Sequence, residues 1–198
     1  IVGKKHSLVQ HDLLSSTFGS PLSLPLYPEI DFTKLPLFCH CQVRCDGTQG
    51  TMLQKTPFYF LRHGQTDWNL EHRCQGQTDV PLNATGIGQA GDAKARLTDI
   101  PIATICCSPL GRARQTAEIV NEALNCRFVV IDGLQECRFG EAEGKLITHE
   151  TYHKLIRSAG TTGGEIFEDF VERAIAGLNQ AIVEPGPVLV VAHGGIFN

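Results

Sequence analysis

The 198-residue sequence contains no apolar run of about 18 residues, the length a membrane-spanning helix needs. Near its start Lys4, Lys5 and His6 are followed by no continuous apolar stretch of the kind a secretory signal carries. Neither a membrane partner nor export is expected, and a cytoplasmic location is. Positive charge is not in excess either. The 17 Lys and Arg against 21 Asp and Glu leave a formal net charge of -4 at pH 7, which excludes the basic face that nucleic-acid binding requires. Eight cysteines are present without the spacing of a disulfide framework, so reduced thiols are expected. Cys39, Cys41 and Cys45 with His40 lack a second ligand pair at zinc-site distance and read as incidental.

Methionine is scarce as well. The single one, Met52, stands just before Pro57, where the first regular apolar pattern bounded by turn signals begins. Residues 1–51 are rich in Ser, Leu, Pro and Thr and show no capped helix or strand pattern. They are expected to be an N-terminal extension outside the domain, with translation beginning at Met52 and the domain occupying residues 52–198. At the other end Phe197 and Asn198 follow an apolar strand with no helix to cover it, so the domain is expected to be cut short there.

Between these points strands and helices alternate. Pro57–Leu61, Ala103–Cys107 and Arg127–Ile131 read as strands, and Pro187–Ala192, almost wholly apolar, reads as a fully buried one. Helices are expected over Thr85–Leu97 with Thr85 as N-cap, Leu110–Leu124, His149–Ser158 and Glu165–Glu184. Such alternation implies an α/β fold: a three-layer α/β/α sandwich around a mostly parallel sheet. Ligands of such sheets bind beyond the carboxyl ends of the strands.

At those ends stand Arg62-His63-Gly64, Ser108 to Arg112, Glu136, and His193-Gly194-Gly195. Two histidines, two arginines and a carboxylate are what metal-free phosphoryl transfer needs: a nucleophile, fixed positive charge for the phosphoryl oxygens, and a proton donor for the leaving group. Taken singly, each is more often structural; their joint placement in an otherwise acidic domain is what points to phosphate. Glycine after each histidine would let a substrate approach the backbone.

The stretch Leu61 to Asn69, continuing through Arg73, Gln75 and Gly76, resembles the signature of the histidine phosphatase superfamily, the phosphoglycerate mutase-like proteins. Ser108 to Ala117, Leu134 to Glu136 with Phe139-Gly140, Gly163 to Glu165, and Val191 to Gly195 agree with it in order. The resemblance implies a phosphoglycerate mutase-like fold and a phosphatase-type member. It makes His63 the nucleophile that becomes phosphohistidine, and assigns Arg62, Arg112 and His193 to the phosphoryl group. Glu136 becomes the proton donor and then the activator of water. Asn69 is a further phosphate contact, and Gln75, Gly76, Gly64 and Gly194 are substrate-side positions. No cofactor and no metal are implied, and the partner is a small phosphorylated metabolite; a homodimer is left open. Cys137 and Ile166 depart from the usual pattern and leave the nearby substrate contacts open. Members that are mutases carry an arginine-rich insertion between the acid and the second histidine. Here only Arg138, Lys145, Lys154, Arg157 and Arg173 are basic in that interval, so phosphomonoester hydrolysis is favoured over a phosphoglycerate mutase.

Other motifs compete. His149-Glu150-Thr151-Tyr152-His153 matches the H-E-x-x-H of zinc peptidases, with Glu168 or Glu172 as a candidate third ligand, but the phosphatase-like stretches run through this region and make it a surface helix. Cys106 and Arg112 have the C-x5-R spacing of cysteine phosphatases, yet Pro109 removes a backbone donor from the loop and Cys106 falls inside a strand. Gly86 to Gly91 spells G-x-G-x-x-G with polar Asn83 to Thr85 where a strand should precede it. A non-catalytic protein that binds phosphorylated ligands is the remaining alternative.

Overall fold

A computed structural model describes residues 52–147 and 162–197. The zinc-type motif at His149–His153, the helix expected over His149–Ser158, the Cys39–Cys45 cluster and the N-terminal extension lie outside the described residues. In chain order the elements are β1 (Tyr59–Arg62), α1 (Asp67–Leu70), α2 (Ala84–Leu97), β2 (Thr104–Cys107), α3 (Gly111–Leu124), β3 (Arg127–Val130), α4 (Phe167–Ile182), β4 (Val188–Ala192) and a single helical turn, α5 (Gly194–Phe197). Two 3-10 turns, Asp132–Leu134 and Gly140–Ala142, follow β3.

All strand pairs are parallel, in the order β1-β4-β2-β3. The last strand in sequence therefore lies inside the sheet, which is why Val188 to Ala192 are uniformly apolar and buried. Edge strand β3 is exposed at both of its ends. Side-chain alternation separates two cores. Val188, Val190 and Ala192 of β4 join Cys106 and, from α4, Leu178, Ala181 and Ile182. Leu189 and Val191 face the other way, with Ile105, Cys107, Leu97 of α2 and Ala117 and Val120 of α3. The sheet thus carries α4 on one face and α2 and α3 on the other, the expected three layers.

Local chemistry moved several boundaries. Asn83, not Thr85, caps α2: its side-chain oxygen accepts from the Gly86 N–H at 2.9 Å, the third helical position that a cap reaches. Thr85 then lies within the first turn. Helix α3 has no side-chain cap of its own, and the carboxylate of remote Asp79 accepts its Gly111 N–H at 2.8 Å. The helix ends at Asn125, left-handed at φ 45°. Glu165, expected to open α4, stays outside it because its N–H donates to the Arg138 carbonyl at 2.7 Å and its carboxylate is held by Arg173. No helix among the described residues is long and apolar enough to cross a membrane.

Candidate active site

Strand register brings the two histidines together. Arg62 of β1 pairs with Ala192 of β4, and the His63 N–H donates to the Ala192 carbonyl at 3.0 Å, so the next residue of each strand lies beside the other. The rings of His63 and His193 stand 5.1 Å apart between centroids, their planes tilted by 57°. On the other side of β4 the Ser108 N–H donates to the Val191 carbonyl at 3.0 Å, which sets Ser108 Oγ 2.8 Å from His193 Nε2. Arg112, in the first turn of α3, reaches back so that its Nε donates to His63 Nε2 at 3.3 Å.

These contacts fix the protonation of His63. Nδ1 lies 2.7 Å from the Gly64 carbonyl, which can only accept, so the ring proton is on Nδ1 and Nε2 presents a lone pair. The side chain is only 4% exposed. Burial, reinforced by the charges of Arg112 and then Arg62, holds its pKa down to about 3, so the imidazole is neutral at neutral pH. His193 is fully buried, and burial, with the neighbouring His63, Arg112, Arg62 and Arg173, keeps it well below the ordinary histidine range. Its Nδ1 is buried without a hydrogen-bond partner.

The arginines are fixed from behind. Arg112 is almost wholly buried, with Nη1 donating to the Thr78 carbonyl at 2.9 Å and Nη2 to the Gly76 carbonyl at 2.7 Å. The loop carrying those carbonyls is in turn pinned by Glu143, whose carboxylate accepts from the N–H groups of Gln77, Thr78 and Phe139 at 3.0, 2.8 and 2.9 Å and from the Thr78 hydroxyl. Arg62, at the end of β1, lies beside Gly194, where a Cβ would stand 3.6 Å from its Cζ. Burial lowers the pKa of both guanidiniums while the Glu136 charge opposes the shift. Glu136 follows the first 3-10 turn. Its Oε1 accepts from the Cys137 N–H at 2.9 Å and its Oε2 from the Gly195 N–H at 3.0 Å. Two fixed cations and one carboxylate leave a net positive site, suited to a phosphoryl dianion.

The remaining expected positions divide. Gly76 belongs to the cluster through its carbonyl. Gln75, 8% exposed, presents a buried Oε1 with no partner. Asn69 is the third helical residue of α1, where its Oδ1 accepts from the Thr66 N–H at 3.1 Å in a capping box. Gly64 has a packing reason beside the expected one. A Cβ there would lie 2.4 Å from the Gly86 carbonyl oxygen, so the start of α2 by itself requires glycine at this position. Its N–H donates to Thr116 Oγ1 at 3.1 Å, and that hydroxyl donates to the Arg112 carbonyl at 2.8 Å. Glycine at 86 serves the same contact, which accounts for one residue of the false dinucleotide motif.

Cys106 stands apart from the cluster, on the sheet face covered by α4. Its thiol donates to the Ala181 carbonyl at 3.8 Å, and burial pushes its pKa up to about 12, so it is a core thiol and not a thiolate nucleophile. Among the described residues no group of three or more His, Cys, Asp or Glu is placed to hold a metal ion. Glu143, Ser108 and Thr116 support the cluster without having been anticipated as site residues. Glu143 is one of two glutamates just before Gly144, and nothing in its local pattern distinguishes it.

Residues 58–198 match the histidine phosphatase superfamily, branch 1. The chain belongs to this superfamily. A Bacillus subtilis protein named "Uncharacterized phosphatase PhoE" is 42% identical over 146 residues, 72% of this chain and 74% of the relative. A Proteus mirabilis protein named "Probable phosphoglycerate mutase GpmB" is 35% identical over 147 residues, 69% of this chain and 68% of the relative. Among solved structures, a phosphoglycerate mutase from Thermus thermophilus superposes with a TM-score of 0.58 at 33% identity, covering 69% of this chain and 77% of that one. The α/β architecture and the ordered motifs of the superfamily thus occur together in this chain, while its relatives carry both phosphatase and mutase names.

Proposed function

We propose that this histidine phosphatase superfamily member hydrolyses small phosphomonoesters through a phosphohistidine on His63, without a cofactor. The observation that carries the reading is the neutral, single-tautomer His63, whose Nε2 lone pair sits against the Arg112 guanidinium. In the first step Nε2 attacks phosphorus, the bond from phosphorus to the ester oxygen breaks, and its electron pair leaves on that oxygen, which takes a proton from Glu136. In the second, Glu136 takes a proton from water as the water oxygen attacks phosphorus. The phosphorus–nitrogen bond breaks, and its electron pair returns to Nε2. Arg62 and Arg112 carry fixed charge to the equatorial oxygens throughout. The unpartnered Nδ1 of His193 gains a partner if a phosphoryl oxygen accepts from it. Contacts of this kind are each worth on the order of 100- to 1000-fold in rate.

The mutase reading is kept because relatives of both names align over similar lengths, 146 and 147 residues. Both readings use the same first half-reaction and differ in whether water or a phosphoglycerate hydroxyl receives the phosphoryl group. Assay of p-nitrophenyl phosphate in excess EDTA, with the parent and His63→Ala, tests the chemistry, and 31P NMR of phosphoglycerate tests the acceptor. Metal-independent turnover lost in His63→Ala, with inorganic phosphate as the product, is expected. Positional isomers of phosphoglycerate without free phosphate would favour the mutase. Binding of phosphate esters without turnover would favour the non-catalytic alternative, and turnover surviving His63→Ala would overturn the proposal.

A further inference from the structure

We propose that Arg173, ion-paired to Glu165, is a positioning residue that aims the Glu136 carboxyl at the leaving group; this rests on the reading of Glu136 as proton donor. Arg173 lies on α4, on a different element from every residue assigned to the phosphoryl group. All five of its N–H donors are used. Nε donates to Glu165 Oε1 at 2.8 Å and Nη2 to Glu165 Oε2 at 2.9 Å, a bidentate pair. Nη1 donates to the carbonyls of Gly133 and Gln135, each at 3.0 Å, and Nη2 also to the carbonyl of Glu136 at 3.3 Å. One planar fork thus holds three carbonyls of the four-residue segment that ends in Glu136. Its own plane is set by Glu165 and by the Phe170 ring, 5.4 Å from the guanidinium carbon.

The consequence for Glu136 follows from peptide planarity. The Glu136 carbonyl and the Cys137 N–H belong to one rigid unit and point in opposite directions. Arg173 on one side, together with Gln77 Nε2 at 3.1 Å from the same carbonyl, fixes that unit. The Cys137 N–H is thereby directed at Glu136 Oε1, which it meets at 2.9 Å. Glu165 braces the far side, with its N–H donating to the Arg138 carbonyl at 2.7 Å and its Oε2 accepting from the Arg138 N–H at 3.2 Å. Without the fork the carbonyls of Gly133 and Gln135 lose this donor and the Glu136 peptide unit is held by Gln77 alone, so the Cys137 N–H, one of the two backbone donors that orient the carboxyl, is aimed less firmly. The other, the Gly195 N–H, comes from the turn after β4 and remains.

A misplaced proton donor slows esters in proportion to how much their leaving group needs the proton. A merely structural defect slows all esters alike. The test is kcat/KM for a series of substituted phenyl phosphates with the parent, Glu136→Gln, Arg173→Lys and Glu165→Gln. Glu136→Gln is expected to cost on the order of 100-fold at the poorest leaving group and far less at p-nitrophenyl phosphate, which steepens the dependence on leaving-group pKa. Arg173→Lys, whose point charge cannot serve three carbonyls and a carboxylate together, and Glu165→Gln are both expected to steepen it in the same sense. The excess loss at the poorest leaving group should be about tenfold. Equal losses across the series in both variants, beside a steepened slope in Glu136→Gln, would overturn the clamp. An unchanged slope in Glu136→Gln would instead remove the proton-donor reading on which it rests. Glu165→Gln keeps the Arg173 side chain but weakens the bidentate pair that sets its plane, and it carries the test if Arg173→Lys does not fold.

Discussion

At the scale of single residues, the site works by making ordinary side chains unable to do anything but one thing. At neutral pH His63 does not hold a second proton, because it is buried and its surroundings are already cationic, and it cannot choose its tautomer, because Gly64 offers only an acceptor. In 15N NMR of histidine-labelled protein, His63 should therefore show a protonated Nδ1 and a bare Nε2 that stay unchanged from about pH 5 to pH 8. A titration near the ordinary histidine value would contradict the geometry. Arg112 has two duties, and its replacement should separate from that of other site residues by affecting both. Arg112→Ala takes the donor from the Gly76 carbonyl and one of two from the Thr78 carbonyl, which keeps the Val80 N–H, and is expected to lower stability by about 1–3 kcal/mol in denaturant melts, along with a loss of turnover on the order of 100-fold or more. The residues that touch phosphate in this account were legible in the sequence because they sit directly after strands or in a helix's first turn. Glu143 and Arg173 were not, since their meaning lies in carbonyls contributed by distant loops, which no local pattern announces.

At the scale of elements, strands and long helices could be read from periodicity, and their ends could not. The caps explain why: α3 borrows Asp79 for its first N–H, 32 residues away in sequence, and Glu165 leaves α4 for an ion pair. Helix α4 also packs onto the Asp132–Leu134 turn more closely than side chains permit. A Cβ on Gly177 would lie 2.6 Å from the Gly133 carbonyl carbon, and one on Gly133 would lie 2.7 Å from Gly177 Cα. Gly177→Ala should therefore destabilise by about 1–3 kcal/mol despite alanine's better helix propensity, as measured by chemical denaturation. Because that turn leads into Glu136, turnover should fall as well. A gain in stability would show that the helix can move outward freely.

At the scale of the whole molecule, the sandwich followed from alternation, but the strand order did not. That β4 is interior could be read from its apolar run; that it separates β1 from β2 depends on pairing across more than 80 residues, from Thr104 to Val188. This order is what joins His63 to His193 and Ser108. Burying two neutral histidines also ties folding to pH. Below about pH 6.5 the unfolded chain takes up protons that the folded His63 refuses until about pH 3, and His193 resists them too. Their contribution is thus complete above pH 6.5 and declines as pH falls from there towards pH 3. Denaturation at several pH values should show this decline, and His63→Ala should flatten it.

The central claim, that His63 carries the phosphoryl group, is tested most directly by mixing the protein with 32P-labelled substrate, quenching in base, and mapping the label by peptide digestion. The account predicts a base-stable, acid-labile phosphoryl group on the peptide containing His63, absent in His63→Ala. Label on any other residue, or turnover with no label trapped at any quench time, would contradict it.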